Sequence, residues 1–229
     1  MEMKKETDKV NTFGILAAMF CFFSVVILYA HGLTGVAALR GPVDLYAQET
    51  DINQLSKLTP VEAEIYMVLD YFLEETTTRT RDDQVSSIDK DYYYIIPAFS
   101  GEETYFIGLK VSAKNKKTYE EIADITYSYL MGESDEIGGT TDLVKGCLRD
   151  MDFETYGYFK DWFKDSEWYA DEKELEKYVL PLYLEPVNLT NSRVMFIAAG
   201  IGLVVGILFA ILFIRGKVKL NKASADVSA

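Results

Sequence analysis

The sequence predicts an α+β protein in which two transmembrane helices flank an extracytoplasmic mixed domain. Three observations predict it. Two runs, Thr12–Ala30 and Val194–Ile214, hold 19 and 21 residues without a charge. Between them, strand-like alternation is interrupted by helical spacings. Lysine and arginine mark both flanks: Lys4, Lys5 and Lys9 before the first run, and Arg215, Lys217, Lys219 and Lys222 after the second.

The segments follow in order: a tail over 1–11, a helix over 12–30, a domain over 31–193, a helix over 194–214 and a basic tail over 215–229. At ~1.5 Å per residue each apolar run reaches roughly 30 Å, the hydrocarbon thickness of a bilayer. A cleaved signal peptide is the rival reading of the first run. That run exceeds the ~7–15 residues of an ordinary signal core. The small-residue site Val36-Ala37-Ala38 also lies well beyond it. An uncleaved anchor is therefore the preferred reading. Basic residues stay on the cytoplasmic side of spans. Both termini are expected in the cytoplasm of a multi-pass cell-membrane protein, with 31–193 outside.

That middle segment holds 16 Lys/Arg against 32 Asp/Glu, a net charge of −16. Polyanion binding needs clustered cations, and Lys114-Asn115-Lys116-Lys117 is too short and isolated. Nucleic acid is excluded as a partner. Cys21 lies in the first span and Cys147 stands alone in the outer segment, so no disulfide forms within it. A domain of this size needs none, and Cys147 reads as a small buried hydrophobe in preference to an odd thiol that bridges two chains.

Within the outer segment, Val43–Ala47 reads as a short strand. In 61–75, Val61, Ala63, Ile65, Met67 and Leu69 share a face at period two. Glu and Leu favour a helix there, but the alternation and Pro60 tip the reading to strand. Residues 76–91 are polar and aperiodic, a loop or long hairpin tip. DYYYIIPAFSGEETYFIGLKV (91–111) reads as a β-hairpin turning at 100–103. Tyr105, Ile107, Leu109 and Val111 share one face, and Tyr93 faces opposite to Tyr92 and Tyr94. Thr118 to Glu121 matches a capping box, and Gly132 ends the helix that follows. Leu143–Leu148 is a strand in which Gly146 suggests a bulge. Asp152 caps a second helix with a stripe of Phe153, Tyr156, Phe159 and Phe163. Residues 165–176 are helical or turn-like. Tyr178–Glu185 reads as an edge strand, because Pro181 cannot donate to a central ladder.

Five strands with a helix between the third and fourth match an OB-like, partly open β-barrel. An unrelated α+β sheet is the alternative. With GPVDLY, DYYYIIP and YFIGLKV between two spans, the chain resembles a family of uncharacterised bacterial two-span membrane proteins. The resemblance covers most of the chain. It implies a bacterial cell membrane and no activity.

Ala198, Gly202, Gly206 and Ala210 recur every four residues on the second span. Small residues let helices approach closely in lipid. Gly14 and Ala18 offer the same spacing on the first span, so the contact forms within one chain or between the second spans of two chains. No catalytic motif, cofactor motif or metal-ligand spacing stands out: His31 is the only histidine, and GxSxG, GxGxxG and P-loop patterns are absent. GESDEIGGTTD (132–142) could wrap a cation but lacks the calcium-loop register. Trp162, Trp168 and Tyr169 fit a membrane surface or a core equally well.

The expected role is non-enzymatic: interaction, sensing or envelope assembly, with membrane lipid and a protein partner or a second copy as partners. The rival is a small-molecule binder or enzyme with an aromatic, acidic groove around Tyr92, Tyr93 and Tyr94. A cleft with converging carboxylates and aromatics favours the rival, and buried tyrosines favour interaction.

Overall fold

The computed structural model describes residues 2–81, 84–166, 168 and 171–228. The chain divides into two compact units. One is made by α1 (Glu2–Leu39) and α5 (Leu189–Ser228), which are both long and apolar enough to cross a membrane. They pack antiparallel, with Val10 against Gly216 at one end and Ala38 against Arg193 at the other.

The second unit, Arg40–Leu189, is a seven-stranded mixed sheet with helices. Its strands are β1 (Val43–Asp44), β2 (Pro60–Ile65), β3 (Tyr71–Arg81), β4 (Gln84–Ser100), β5 (Glu103–Ser112), β6 (Asp142–Asp150) and β7 (Val179–Pro186). Three helices accompany them: α2 (Lys116–Leu130), α3 (Phe153–Asp165) and α4 (Glu172–Tyr178). The order is β1-β2-β6-β7-β5-β4-β3. Neighbours are antiparallel except β1 with β2 and β5 with β7.

This order forces curvature. β2 and β3 lie five strand positions apart, roughly 24 Å in a flat sheet. Yet six residue steps join Ile65 to Tyr71, which span at most roughly 22 Å when fully extended. The sheet therefore curls, and the single segment 60–81 serves both of its sides. Its first part pairs with β6 and its second part with β4.

Alternation sorts the side chains between two cores. Val61, Ala63 and Ile65 of β2, Tyr92, Tyr94 and Ile96 of β4, and Ile107 and Leu109 of β5 fill one face. Tyr119 and Ile122 of α2 pack into that same core. Ile95, Phe106 and Val179 occupy the opposite face, covered by Phe159 and Phe163 of α3 and Leu175 of α4. The tyrosine triplet thus splits as its period of two dictates. The β4–β5 turn places Gly101 at φ +61, in the left-handed region that glycine enters without penalty.

Several expectations need correction. The 61–75 run is not one strand: residues 66–70 break it, and Leu69 packs against the other core. Of the two readings of residues 76–91, the long hairpin holds and the loop does not, because the β3–β4 ladder continues out to Arg81 and Gln84. The capping box is absent: α2 starts earlier, at Lys116, after an Asn115 whose side chain makes no capping bond. Gly132 does end α2, at φ +72, with Glu133 N–H reaching Ser128 O at 2.9 Å. Asp152 does cap α3, accepting from Thr155 N–H at 2.7 Å, but Phe153 is almost wholly exposed and leaves the apolar stripe. Gly146 is not a bulge, since β6 pairs without a register shift on either side. A Cβ there would run into the Glu185 carbonyl, so glycine permits close strand approach.

The strand containing Pro181 is central, not an edge. Proline is tolerated because its position is a local irregularity. β5 pairs with β7 at Phe106↔Val179 and again at Gly108↔Tyr183, skipping Pro181. β6 begins to pair only at Leu182, while Met151 N–H donates to the Pro181 carbonyl at 2.9 Å.

The tyrosine core yields a prediction. The Tyr94 hydroxyl is buried with no hydrogen-bond partner among the described residues, whereas Tyr119 Oη donates to Asp142 at 2.7 Å. Removing an unpaired hydroxyl is close to neutral, and removing a paired one costs about 1 kcal/mol. Tyr94→Phe should leave the urea midpoint unchanged or raised, and Tyr119→Phe should lower it. The reverse order would contradict the assignment.

Candidate functional site

A cleft of about 340 Å³ forms where three segments meet: the 66–70 break, the end of α2 and the end of α3. Leu69 and Asp70 come from the first, Thr126, Tyr127, Leu130 and Met131 from the second, and Trp162, Ser166 and Trp168 from the third. The break is held away from strand pairing by side chains. Val68 N–H donates to Thr126 Oγ1 at 3.1 Å, and that hydroxyl donates to Ile122 O at 2.9 Å. Pairing resumes where Leu69 N–H meets Ile95 O at 3.0 Å and Ile95 N–H meets Asp70 O at 2.8 Å.

The walls are aromatic. The indole of Trp168 stands edge-on to Phe106 at 5.5 Å and lies 6.3 Å from Trp162. The end of α3 is tied by Ser166, whose Oγ donates to Trp162 O at 2.7 Å. Tyr127, Leu130, Met131 and Trp168 remain exposed at the rim. Among the described residues no Lys, Arg or His lines the cleft. Asp70 accepts from Tyr71 N–H at 2.6 Å and makes no ion pair among the described residues.

Tyr92, Tyr93 and Tyr94 do not line this cleft, and all three are buried. Tyr92 and Tyr94 lie in the α2-side core, with Lys116 Nζ 4.8 Å from the Tyr92 ring. Tyr93 faces the other way, into a charged cluster. Its hydroxyl donates to Glu75 at 3.0 Å, and Lys110 Nζ lies 3.1 Å from both Glu75 and Asp91. Burial pushes the Tyr93 phenol up to about 12, with Lys110 opposing and Glu75 reinforcing. The Lys110 hydrogen bond, helped by Tyr93, holds Glu75 below the usual carboxylate range against desolvation. Burial alone would lower the Lys110 ammonium, but its bonds to Glu75, Tyr93 and Asp91 raise it. Each charge in this cluster has a partner, so it reads as a strut between β3, β4 and β5.

In the α1–α5 unit, a Cβ on Gly202 would lie 2.5 Å from Ser24 Oγ, and one on Gly206 would lie 2.7 Å from Cys21 Sγ. Gly14 faces Phe213. Ala198 and Ala18 are exposed, while their neighbours Ala199 and Ala17 are buried. Ala210 is half-buried and lines a lateral groove with Gly14 and Ala18. Gly202 and Gly206 thus keep the contact with α1, while the small buried residue before them is Ala199, three positions back, instead of Ala198.

Among the described residues no group of three His, Cys, Asp or Glu could hold a metal ion. Within 132–142, Thr140 Oγ1 donates to Glu121 at 2.6 Å and Thr141 Oγ1 to Glu64 at 3.1 Å, tying that loop to α2 and β2. Cys147 is fully buried and its thiol is pushed up by that burial. Tyr169 lies outside the described residues.

Fold and cleft together define a class: two apolar helices bracketing an α+β domain with an aromatic-walled cleft at a broken strand. The chain belongs to the family described as a domain of unknown function, DUF8577, whose profile matches residues 1–216. No curated protein and no solved structure matches it.

Proposed function

We propose that this chain is a membrane-anchored small-molecule binder that takes its ligand outside the cell through the α2–α3 cleft, the rival of the two roles expected from the sequence. The observation that carries the reading is the cleft itself: two tryptophans, a tyrosine and a carboxylate without an ion pair among the described residues converge in a concave site. Such sites, largely apolar with a few placed polar groups, are where ligands are bound. The domain architecture is that of an OB-like, partly open barrel. The order β3-β4-β5-β7-β6, the parallel β5/β7 pair and the doubly paired 60–81 segment support this. Basic flanks outside both helices support a two-span membrane protein with both termini in the cytoplasm, and the family resemblance implies a bacterial cell membrane.

One position tests both binding and orientation. Glu133 is exposed and lies two residues beyond Met131 of the cleft. Glu133→Cys should react in intact cells with a membrane-impermeant thiol reagent carrying a photocrosslinker. Illumination should then give an adduct that Leu143→Cys, an exposed site off the cleft, does not. Absence of labelling from outside would reverse the orientation. Equal adducts at both positions, or none, would remove the cleft as the binding site.

A further inference from the structure

We infer that the cleft recognises a small organic cation bearing a quaternary ammonium group, a proposal that rests on the binding reading above. Four independent features converge on positive charge with an apolar skin. Tryptophan and tyrosine faces attract cations through their quadrupoles, most strongly where water is displaced. Trp162, Trp168 and Tyr127 all line the cleft. Asp70 supplies a carboxylate with no ion pair of its own among the described residues. The cleft receives the C-terminal turns of both α2 and α3, whose macrodipoles present partial negative charge. α2 has no basic residue in its last turn, and Lys164 of α3 is turned toward Glu172 at 3.3 Å and does not line the cleft. Finally, among the described residues no Lys, Arg or His lines the cleft to compete.

Hydrogen-bonding capacity selects the kind of cation. A primary ammonium brings three donors that need acceptors. Here the Thr126 and Ser166 hydroxyls are already engaged, Thr126 Oγ1 with Val68 and Ile122 and Ser166 Oγ with Trp162, which leaves Asp70 and the Tyr127 hydroxyl as the polar side-chain groups of the lining. A trimethylammonium group brings no donor and covers its charge with methyl groups, which suit indole faces and Met131. At about 340 Å³ the cleft is at the small end of ligand sites, sufficient for such a headgroup. The group could arrive on a free solute or as the choline headgroup of a lipid.

The chain reports on this site directly, because its two tryptophans both line the cleft. The full chain, reconstituted in phosphatidylglycerol vesicles, is titrated with tetramethylammonium chloride while tryptophan emission is followed. Sodium chloride at equal ionic strength is the control. The expected result is a saturable change absent with sodium. Asp70→Asn should raise the half-saturation concentration on the order of tenfold, and Tyr127→Leu should raise it several-fold with both reporters intact. Circular dichroism of the variants checks the fold. In phosphatidylcholine vesicles, the same emission change without added tetramethylammonium assigns the lipid headgroup as source. A response to the added cation alone assigns a free solute. No response in either vesicle, a sodium response of equal size, or parent-like titration of both variants overturns the proposal. If the adduct at Glu133→Cys persists while these titrations fail, the cation assignment falls and the binding reading stands.

Discussion

Phe159→Ala is expected to lower the stability of the Arg40–Leu189 unit by about 3–5 kcal/mol, the cost of truncating a fully buried aromatic ring. Phe159 is wholly buried at the centre of the α3-side core. Its ring lies 4.6 Å from Phe72 of β3 and 5.5 Å from Phe163 of its own helix. Those contacts fasten α3 over the second part of the doubly paired segment. A single domain has about 5–15 kcal/mol in total, so the loss takes a large share of it. Urea denaturation of the full chain in detergent, followed by tryptophan emission, should show the midpoint falling with little change in slope. A stability within about 0.5 kcal/mol of the parent, the size of an ordinary surface effect, would mean that α3 is not packed as described. Phe153→Ala, at the exposed start of the same helix, should be close to neutral and serves as the control.

Gly206→Ile should separate α1 from α5. A side chain at that position meets Cys21 Sγ at 2.7 Å and the Cys21 backbone nitrogen at 3.2 Å. A flexible side-chain end could yield, but helix backbone cannot, and overpacking of this kind costs about 1–3 kcal/mol or more. In lipid no hydrophobic effect compensates, because helix pairing there depends on close packing. Disulfide trapping between Val10→Cys and Gly216→Cys reads the pairing, since those positions touch. Trapping should be efficient in the parent background and strongly reduced with Gly206→Ile or Gly202→Ile. Equal trapping in all three would show that the glycine face does not hold the pair.

Local patterns carried a large part of this fold. The β4–β5 hairpin was legible because alternation and a glycine turn agree, and its register follows. The helices α1 and α5 were legible from uncharged length alone. What failed were inferences that needed a neighbour to be known. Pro181 argues for an edge only if the ladder is regular, and here an irregularity of β7 against β5 absorbs it. The break at 66–70 is produced by Thr126, far along the chain, and no pattern within 61–75 announces it. The cleft was hidden for the same reason, since its residues come from three segments separated by tens of positions. The pairing of Trp162 and Trp168 was visible in sequence. Asp70 and Tyr127 opposite them were not, because only the curl of the sheet brings them together.

The central place of β7 governs when this domain can be completed during synthesis. β7 is the last strand made, yet it lies between β5 and β6 and joins them. Its final residue, Pro186, precedes the start of α5 at Leu189 by three positions. Until that point has left the ribosome, the edges of β5 and β6 stay open, and unpaired edges invite wrong pairing. The sheet therefore closes only as the second apolar helix is itself being delivered. Truncation anywhere before residue 179 should leave a nascent chain that is held, without its keystone strand, for quality-control proteases to remove.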